Sequence, residues 1–356
     1  MRRFRLLLPL FLLLALAACS ERDRPLESPV RFEGGIFGSF YQVTVVDPLT
    51  QGEANALEEG ILAELEAVDA QMSLYREDSE LADFNRAPLE AWQPLSDPLT
   101  EVLGIALGVA EASGGAFDVT VGGLVNLWSF GAEARPERVP AEEALAARLA
   151  HVGMDALELR PEAREARRLR DVTVDLGGVA KGYATDRVAA FLEAQGIEHF
   201  LVNLGGDLLA RGYRDGEAEP WRIGIEAPLQ DRREAQVVLP LHDISVATSG
   251  DYRNFFMEEG RRYSHTLDPR SGQPITHRLA SVSVFHPANA WADAWATALT
   301  VLGEEAGMVL AEAQGLAVLM SVREREGWRT LASPAFVERF GEASLDDRDA
   351  NNATQE

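Results

Sequence analysis

Asp293 and Thr297 stand four residues apart in an alanine-rich run, 290–302. On an α-helix that spacing puts a carboxylate and a hydroxyl on one face. Their neighbours Ala294, Ala298 and Leu299 are apolar. A carboxylate carried into apolar surroundings is costly unless it is paired or binds a metal. An Asp–Thr pair offers oxygen ligands only, the set preferred by hard cations such as Mg²⁺ or Ca²⁺, and Mg²⁺ commonly shares its sphere with substrate phosphates. The same spacing also fits a solvent-facing Asp beside a Thr that bonds its own helix backbone, so it leaves the metal open.

A second candidate is the run from Val174 to Asp186, in which Gly177-Gly178 separates a strand-like stretch from a helical one. Glycines there let backbone approach a ligand closely, and a helix start offers free N–H groups to an anion. Lys181 falls in the first helical turn, where a cation opposes the helix dipole. A nearby phosphate would compensate it; a tight turn with a surface lysine is the plainer alternative. No Ser or Thr follows the lysine, so this is not a Walker A loop. Ala116, Phe117 and Asp118 follow Gly114-Gly115 and could set an aromatic ring and a carboxylate beside a flat, sugar-bearing ligand, or simply turn into a strand. Tyr75, in the polar stretch 72–80, could stack on a planar ring or pack ordinarily. His265 precedes the turn-forming Asp268-Pro269-Arg270-Ser271-Gly272 and is the candidate general base near neutral pH. His151, His199, His242, His277 and His286 read as structural. With no His and Cys pair at metal spacing, zinc is disfavoured.

The elements that must position these groups follow from periodicity. Residues 40–46 read as a strand, and Leu57, Ile61, Leu65 and Val68 recur at helical spacing. A second amphipathic helix spans 99–110 and stops at Ser113-Gly114-Gly115; residues 141–150 are also helical in composition. Residues 172–176 (strand), 180–194 (helix) and 200–204 (strand) look like one βαβ unit. The strand-like runs 221–226, 236–241, 244–248 and 280–285 lack long helices between them, which implies antiparallel pairing. Helices over 290–302 and 304–313, split by Gly303, and a buried strand over 317–322 complete the pattern. The expected class is α+β, with mixed or antiparallel sheets, flanking helices and a single catalytic unit.

The start of the chain suggests a compartment. Arg2, Arg3 and Arg5 precede an apolar run, 6–16, shorter than the roughly 20 residues that span a bilayer. Residues 1–18 therefore read as a secretion signal. Leu16-Ala17-Ala18-Cys19 resembles a bacterial lipobox, which implies cleavage before Cys19 and acylation of its thiol. Cys19 is the single cysteine, so an intrachain disulfide and a folded-domain thiolate are excluded. The expected organisation is a lipid-anchored tether over 19–34, a catalytic domain over 35–335 and an acidic, disordered tail over 336–356. The expected location is the periplasmic side of the bacterial envelope, with the choice between outer and inner membrane open. A formal net charge of −24 opposes binding to nucleic acid or anionic lipid.

Taken together, these segments resemble the ApbE family of flavin transferases over most of the chain, from about Phe37 to Gly303. The matching motifs occur in the family's order: Met72-Ser73-Leu74-Tyr75 with Asn85, Gly115-Ala116-Phe117-Asp118, Asn126-Leu127-Trp128, and Asp175-Leu176-Gly177-Gly178 through Lys181-Gly182-Tyr183-Ala184. Asn203-Leu204-Gly205-Gly206-Asp207, Thr248-Ser249-Gly250-Asp251-Tyr252, Ser264-His265-Thr266-Leu267-Asp268-Pro269 and Ala292-Asp293-Ala294 with Ala296-Thr297-Ala298 follow. The resemblance implies transfer of FMN from FAD to a Ser or Thr hydroxyl of an acceptor protein, with Mg²⁺ and release of AMP. It implies that Tyr75 stacks on the isoalloxazine ring and that Phe37, Ala116, Phe117, Asp118, Asp175, Lys181 and Leu267 line the FAD site. Asp293 and Thr297 would ligate Mg²⁺ with carbonyls of Gly178 and Ala296. The acceptors it implies are subunits of envelope redox complexes, such as the sodium-pumping quinone reductase and Rnf complexes. In the chemistry that follows, Lys181 would assist at the pyrophosphate and His265 is the hypothesised base. Two other readings use the same residues: a Mg²⁺-dependent FAD pyrophosphatase giving AMP and FMN, and a non-catalytic FAD-binding lipoprotein.

Overall fold

The computed structural model describes residues 24–133, 135–229, 234–252, 254–325 and 327–345. The expected signal, Cys19 and the tail beyond residue 345 lie outside the described residues. Among the described residues no helix is long and apolar enough to cross a membrane.

The organising element is an eight-stranded sheet. Its strands are β1 (Val30–Ile36), β2 (Ser39–Val45), β3 (Phe200–Leu204), β4 (Asp207–Arg211), β5 (Ile244–Gly250), β6 (Leu279–His286), β7 (Ala317–Arg323) and β8 (Trp328–Ala332). They lie side by side in chain order, and every neighbouring pair is antiparallel. The sheet is thus a meander, interrupted after β2 by the long insert that carries much of the site.

Side chains alternate across a strand, and here both faces are covered. Ala247, Val284 and Met320 join the larger core, under the helices. Val246, Phe285 and Leu319 point the other way, against Trp221, Ile223, Leu239 and Phe336. Those residues belong to the hairpin Trp221–Glu226/Ala235–Leu241 and the short helix Pro334–Phe340. On the helical face lie α1 (Gln51–Met72), α2 (Asp97–Ala112), α3 (Ala180–Ala194) and α4 (Asn289–Ala313). Leu57, Ile61, Leu65 and Val68 form the buried stripe of α1, as their spacing predicts. Gly303, at φ +80°, breaks the helical backbone inside α4, where the sequence pattern divides into two helices.

Three expectations are corrected. There is no βαβ unit: residues 172–176 form no sheet strand, and β3 pairs antiparallel with β2 and β4. The segment looks strand-like because it is extended. Its partners are the Asn85 amide, which accepts from Val174 N–H and donates to Val174 C=O at 2.8 and 2.9 Å, and residues 119–122. The expected tether enters the fold early, since Leu26 N–H bonds Leu49 C=O and β1 begins at Val30. The domain also runs past residue 335: Phe336 is fully buried in the helix Pro334–Phe340, capped by Ser333.

Candidate active site

A cleft of about 330 Å³ opens where α3, α4, β5 and the segments around Phe117 and His265 meet. Ala116, Phe117, Asp118, Asp175, Gly178, Lys181, His265, Leu267, Asp293 and Thr297 all line it. A second cavity of about 310 Å³ holds Phe37 and Tyr75 and shares Asp175, Gly177 and Lys181 with the first. These residues, from six separated parts of the sequence, line two adjoining cavities, which together make one trough. Ala296 is the exception. It is fully buried and lines neither cavity, and its carbonyl accepts the Thr300 hydroxyl at 2.7 Å.

Local chemistry explains each placement. Asp118 Oδ1 accepts both Thr120 N–H at 2.7 Å and the Thr120 hydroxyl at 2.6 Å, closing a tight turn after Phe117. Asp175 Oδ1 accepts Gly177 N–H at 2.8 Å and bends the chain into α3. A Cβ on Gly178 would lie 3.0 Å from Thr297 Oγ1 and 3.1 Å from the Phe117 ring, so only glycine leaves this cradle open. The Thr297 hydroxyl lies 3.3 Å from Ser249 Oγ, within hydrogen-bond reach. Asp268 accepts Arg270 N–H and forms the turn that follows His265 and Leu267. Tyr75 is 78% exposed, which leaves its ring free to stack on a flat ligand.

The cleft is rich in carboxylates and poor in partners for them. Burial raises the carboxyls of Asp118 and Asp175 above the ordinary range, although Thr120 and Gly177 oppose the shift. Asp293 is also raised, first by burial and then by Asp207, against Lys181 and the Gly182 N–H that reaches its Oδ2 at 3.1 Å. Lys181 Nζ lies 2.5 Å from Asp207 Oδ2. Burial works against the lysine's charge, but Asp207 and Asp293 outweigh it and hold its pKa above the ordinary value. The anion expected beside Lys181 is therefore already in the protein. Asp207 was the residue that sequence reasoning missed. No local signal links it to Lys181: the pair forms only when the β3–β4 hairpin comes to face the start of α3.

This donor set suits a hard divalent cation. Among the described residues no three His, Cys, Asp or Glu side chains are grouped to hold a metal. Asp293, Thr297 and the backbone at Gly178 form a different kind of set, one carboxylate with neutral oxygens. Such a set normally leaves part of the sphere to waters and phosphate. A cation there would also offset the surplus of buried negative charge.

His265 Nδ1 lies 2.9 Å from the Asn254 carbonyl. A carbonyl only accepts, so Nδ1 carries the proton and Nε2 keeps its lone pair. Burial lowers the His265 pKa, which keeps the ring neutral and basic near pH 7.

A sequence profile of the ApbE family matches residues 37–320. The FAD:protein FMN transferase of Vibrio cholerae is 41% identical over 325 residues, covering 91% of this chain and 95% of that one. The enzyme of the same name from Klebsiella pneumoniae is 38% identical, covering 88% and 89%. Among solved structures, the flavin transferase ApbE from Vibrio cholerae superposes with a TM-score of 0.80 at 40% identity, over 88% of this chain and 99% of that one.

Proposed function

This chain belongs to the ApbE family and is an FAD:protein FMN transferase, and we propose that it works with Mg²⁺ at Asp293 and Thr297 and releases AMP. The observation that carries the reading is the trough itself: an exposed aromatic at one end, and Lys181, an Asp–Thr oxygen pair and a neutral histidine at the other.

FAD lies with its isoalloxazine ring against Tyr75 and Phe37 and its pyrophosphate at Lys181. Ala116, Phe117, Asp118 and Leu267 line the remainder. A Ser or Thr hydroxyl of the acceptor attacks the phosphorus of the FMN half. The new bond joins that oxygen to phosphorus, the pyrophosphate P–O bond breaks, and AMP departs with the bridging oxygen. The hydroxyl proton passes to His265 Nε2, whose tautomer is set by Asn254. Lys181, pinned by Asp207, presents fixed positive charge to the phosphates without reorganising. When bound, Mg²⁺ would neutralise charge on the phosphate oxygens as the bond breaks; Asp293, Thr297 and the Gly178 carbonyl would hold it.

The acceptors are envelope redox subunits of the quinone reductase or Rnf kind, and Cys19 anchors the enzyme by lipid on the periplasmic side. The sequence motifs and the lipobox-like Leu16–Cys19 support these assignments.

The test is mass spectrometry of an acceptor protein incubated with the purified chain, FAD and Mg²⁺. A gain of one FMN, abolished by chelator, is expected. AMP and FMN accumulating beside an unmodified, competent acceptor would instead identify a pyrophosphatase, and intact FAD a binding protein.

A further inference from the structure

Helix α4 starts without a cap of its own. Its N-cap residue is Ala288, which has no side-chain acceptor for the first N–H groups. The acceptor comes from a different helix. Asp186 of α3 takes Asn289 N–H on Oδ1 at 2.6 Å and Ala290 N–H on Oδ2 at 2.8 Å. One turn earlier on α3, Gly182 N–H reaches Asp293 Oδ2. A Cβ on Gly182 would fall 2.4 Å from the Asn289 carbonyl oxygen, so the two helices meet backbone to backbone. The Asn289 side chain then ties the same turn to the sheet, donating to Leu208 C=O at 3.0 Å and Val246 C=O at 3.2 Å.

We propose that Asp186 is a positioning residue: by clamping the first turn of α4 to α3, it fixes Asp293 and Thr297 relative to Lys181 and Gly178, and so sets the cleft's affinity for its divalent cation. This inference rests on the reading of the cleft as a Mg²⁺ site. A carboxylate with both oxygens committed to successive N–H groups resists sliding of α4 along its axis and rotation about it. Asp293 lies one turn further along α4, and Lys181 one turn back along α3, so each is rigidly tied to the clamp. Groups that orient metal ligands without touching the metal commonly change affinity about 10–100-fold. Burial pushes the Asp186 carboxyl up to about 6 in spite of its two N–H donors, a cost that a solvent-exposed cap would escape.

The test separates positioning from simple capping. Mg²⁺ binding to the full chain, saturated with FAD, is measured by calorimetry for wild type, Asp186→Asn, Asp186→Asn/Ala288→Asp and Asp293→Ala, with thermal melting recorded in chelator. In Asp186→Asn one oxygen is replaced by a donor, so one N–H loses its partner. Mg²⁺ affinity is expected to fall at least about tenfold. Ala288→Asp gives α4 a cap from its own chain; it should recover melting temperature but leave Mg²⁺ binding weak. Should Asp186→Asn alone fail to fold, the double variant carries the same comparison. Mg²⁺ affinity within twofold of wild type in either variant would overturn the proposal, since Asp186 would then be only a cap. Wild-type affinity in Asp293→Ala would instead show that the cation site lies elsewhere.

Discussion

Two buried aspartates in this fold have opposite surroundings. Asp251, 3% exposed, follows β5 and meets two guanidinium groups: Arg262 Nη1 and Arg323 Nη1 reach its Oδ2 at 2.7 and 2.9 Å, and Arg323 Nη2 bonds its Oδ1. Its negative charge is overcompensated, and it lines neither half of the trough. Asp293, 4% exposed, meets one backbone N–H, a lysine committed mainly to Asp207, and the repulsion of Asp207 itself. The lesson is that burial alone does not mark a functional carboxylate. The mark is burial with the countercharge left out, which the fold tolerates where a cation or substrate is to supply it.

Asp293→Ala should lower FMN transfer by at least about 10³-fold, since metal stabilisation of the breaking bond contributes several kcal/mol. The melting temperature in chelator should stay unchanged or rise, because a strained carboxylate is gone. A large loss of stability would place Asp293 with Asp251 as a structural residue. Asp251→Ala should do the reverse, costing about 1–3 kcal/mol in denaturant unfolding by leaving two half-buried guanidinium groups short of a partner. Any surviving folded fraction should transfer FMN at close to the wild-type rate.

His265 sharpens the contrast from the catalytic side. His265→Ala should slow transfer about 10²-fold or more while sparing FAD binding. The base must be neutral, and its pKa is depressed by burial. The rate should therefore hold as pH falls to the ordinary histidine value and drop only below it, and this acid limb should vanish in the variant. A limb that persists would assign the titration to another group. The smallest effect is expected at Tyr75, whose replacement by Ala should weaken FAD binding about three- to tenfold, the size of an aromatic stacking contribution. Fluorescence titration with FAD measures it.

How much of this was legible in the sequence depends on whether a feature is local. Asp293 and Thr297 could be paired from the chain because a helix fixes i and i+4 geometry, and α4 is helical there. The buried stripe of α1 and the antiparallel later strands followed from periodicity in the same way. Residues 172–176 misled because extension looks the same whether a strand or the Asn85 amide supplies the hydrogen bonds. Asp207 and Asp186 were invisible for a related reason. Their partners, Lys181 and the start of α4, lie 26 and about 103 residues away, and only the tertiary fold brings them together. Ala296, which the family resemblance adds to the ligand set, is buried, bonds the Thr300 hydroxyl through its carbonyl and lines neither cavity.

Asp293, Thr297 and the Gly178 backbone form the proposed site of the cation that FMN transfer requires. Its most direct test is anomalous diffraction from crystals of the FAD-bound protein with Mn²⁺ in place of Mg²⁺. One peak is expected in contact with the Asp293 carboxylate and the Thr297 hydroxyl, against the FAD pyrophosphate. A cation bound away from these two residues, in a protein whose transfer activity still depends on metal, would contradict it.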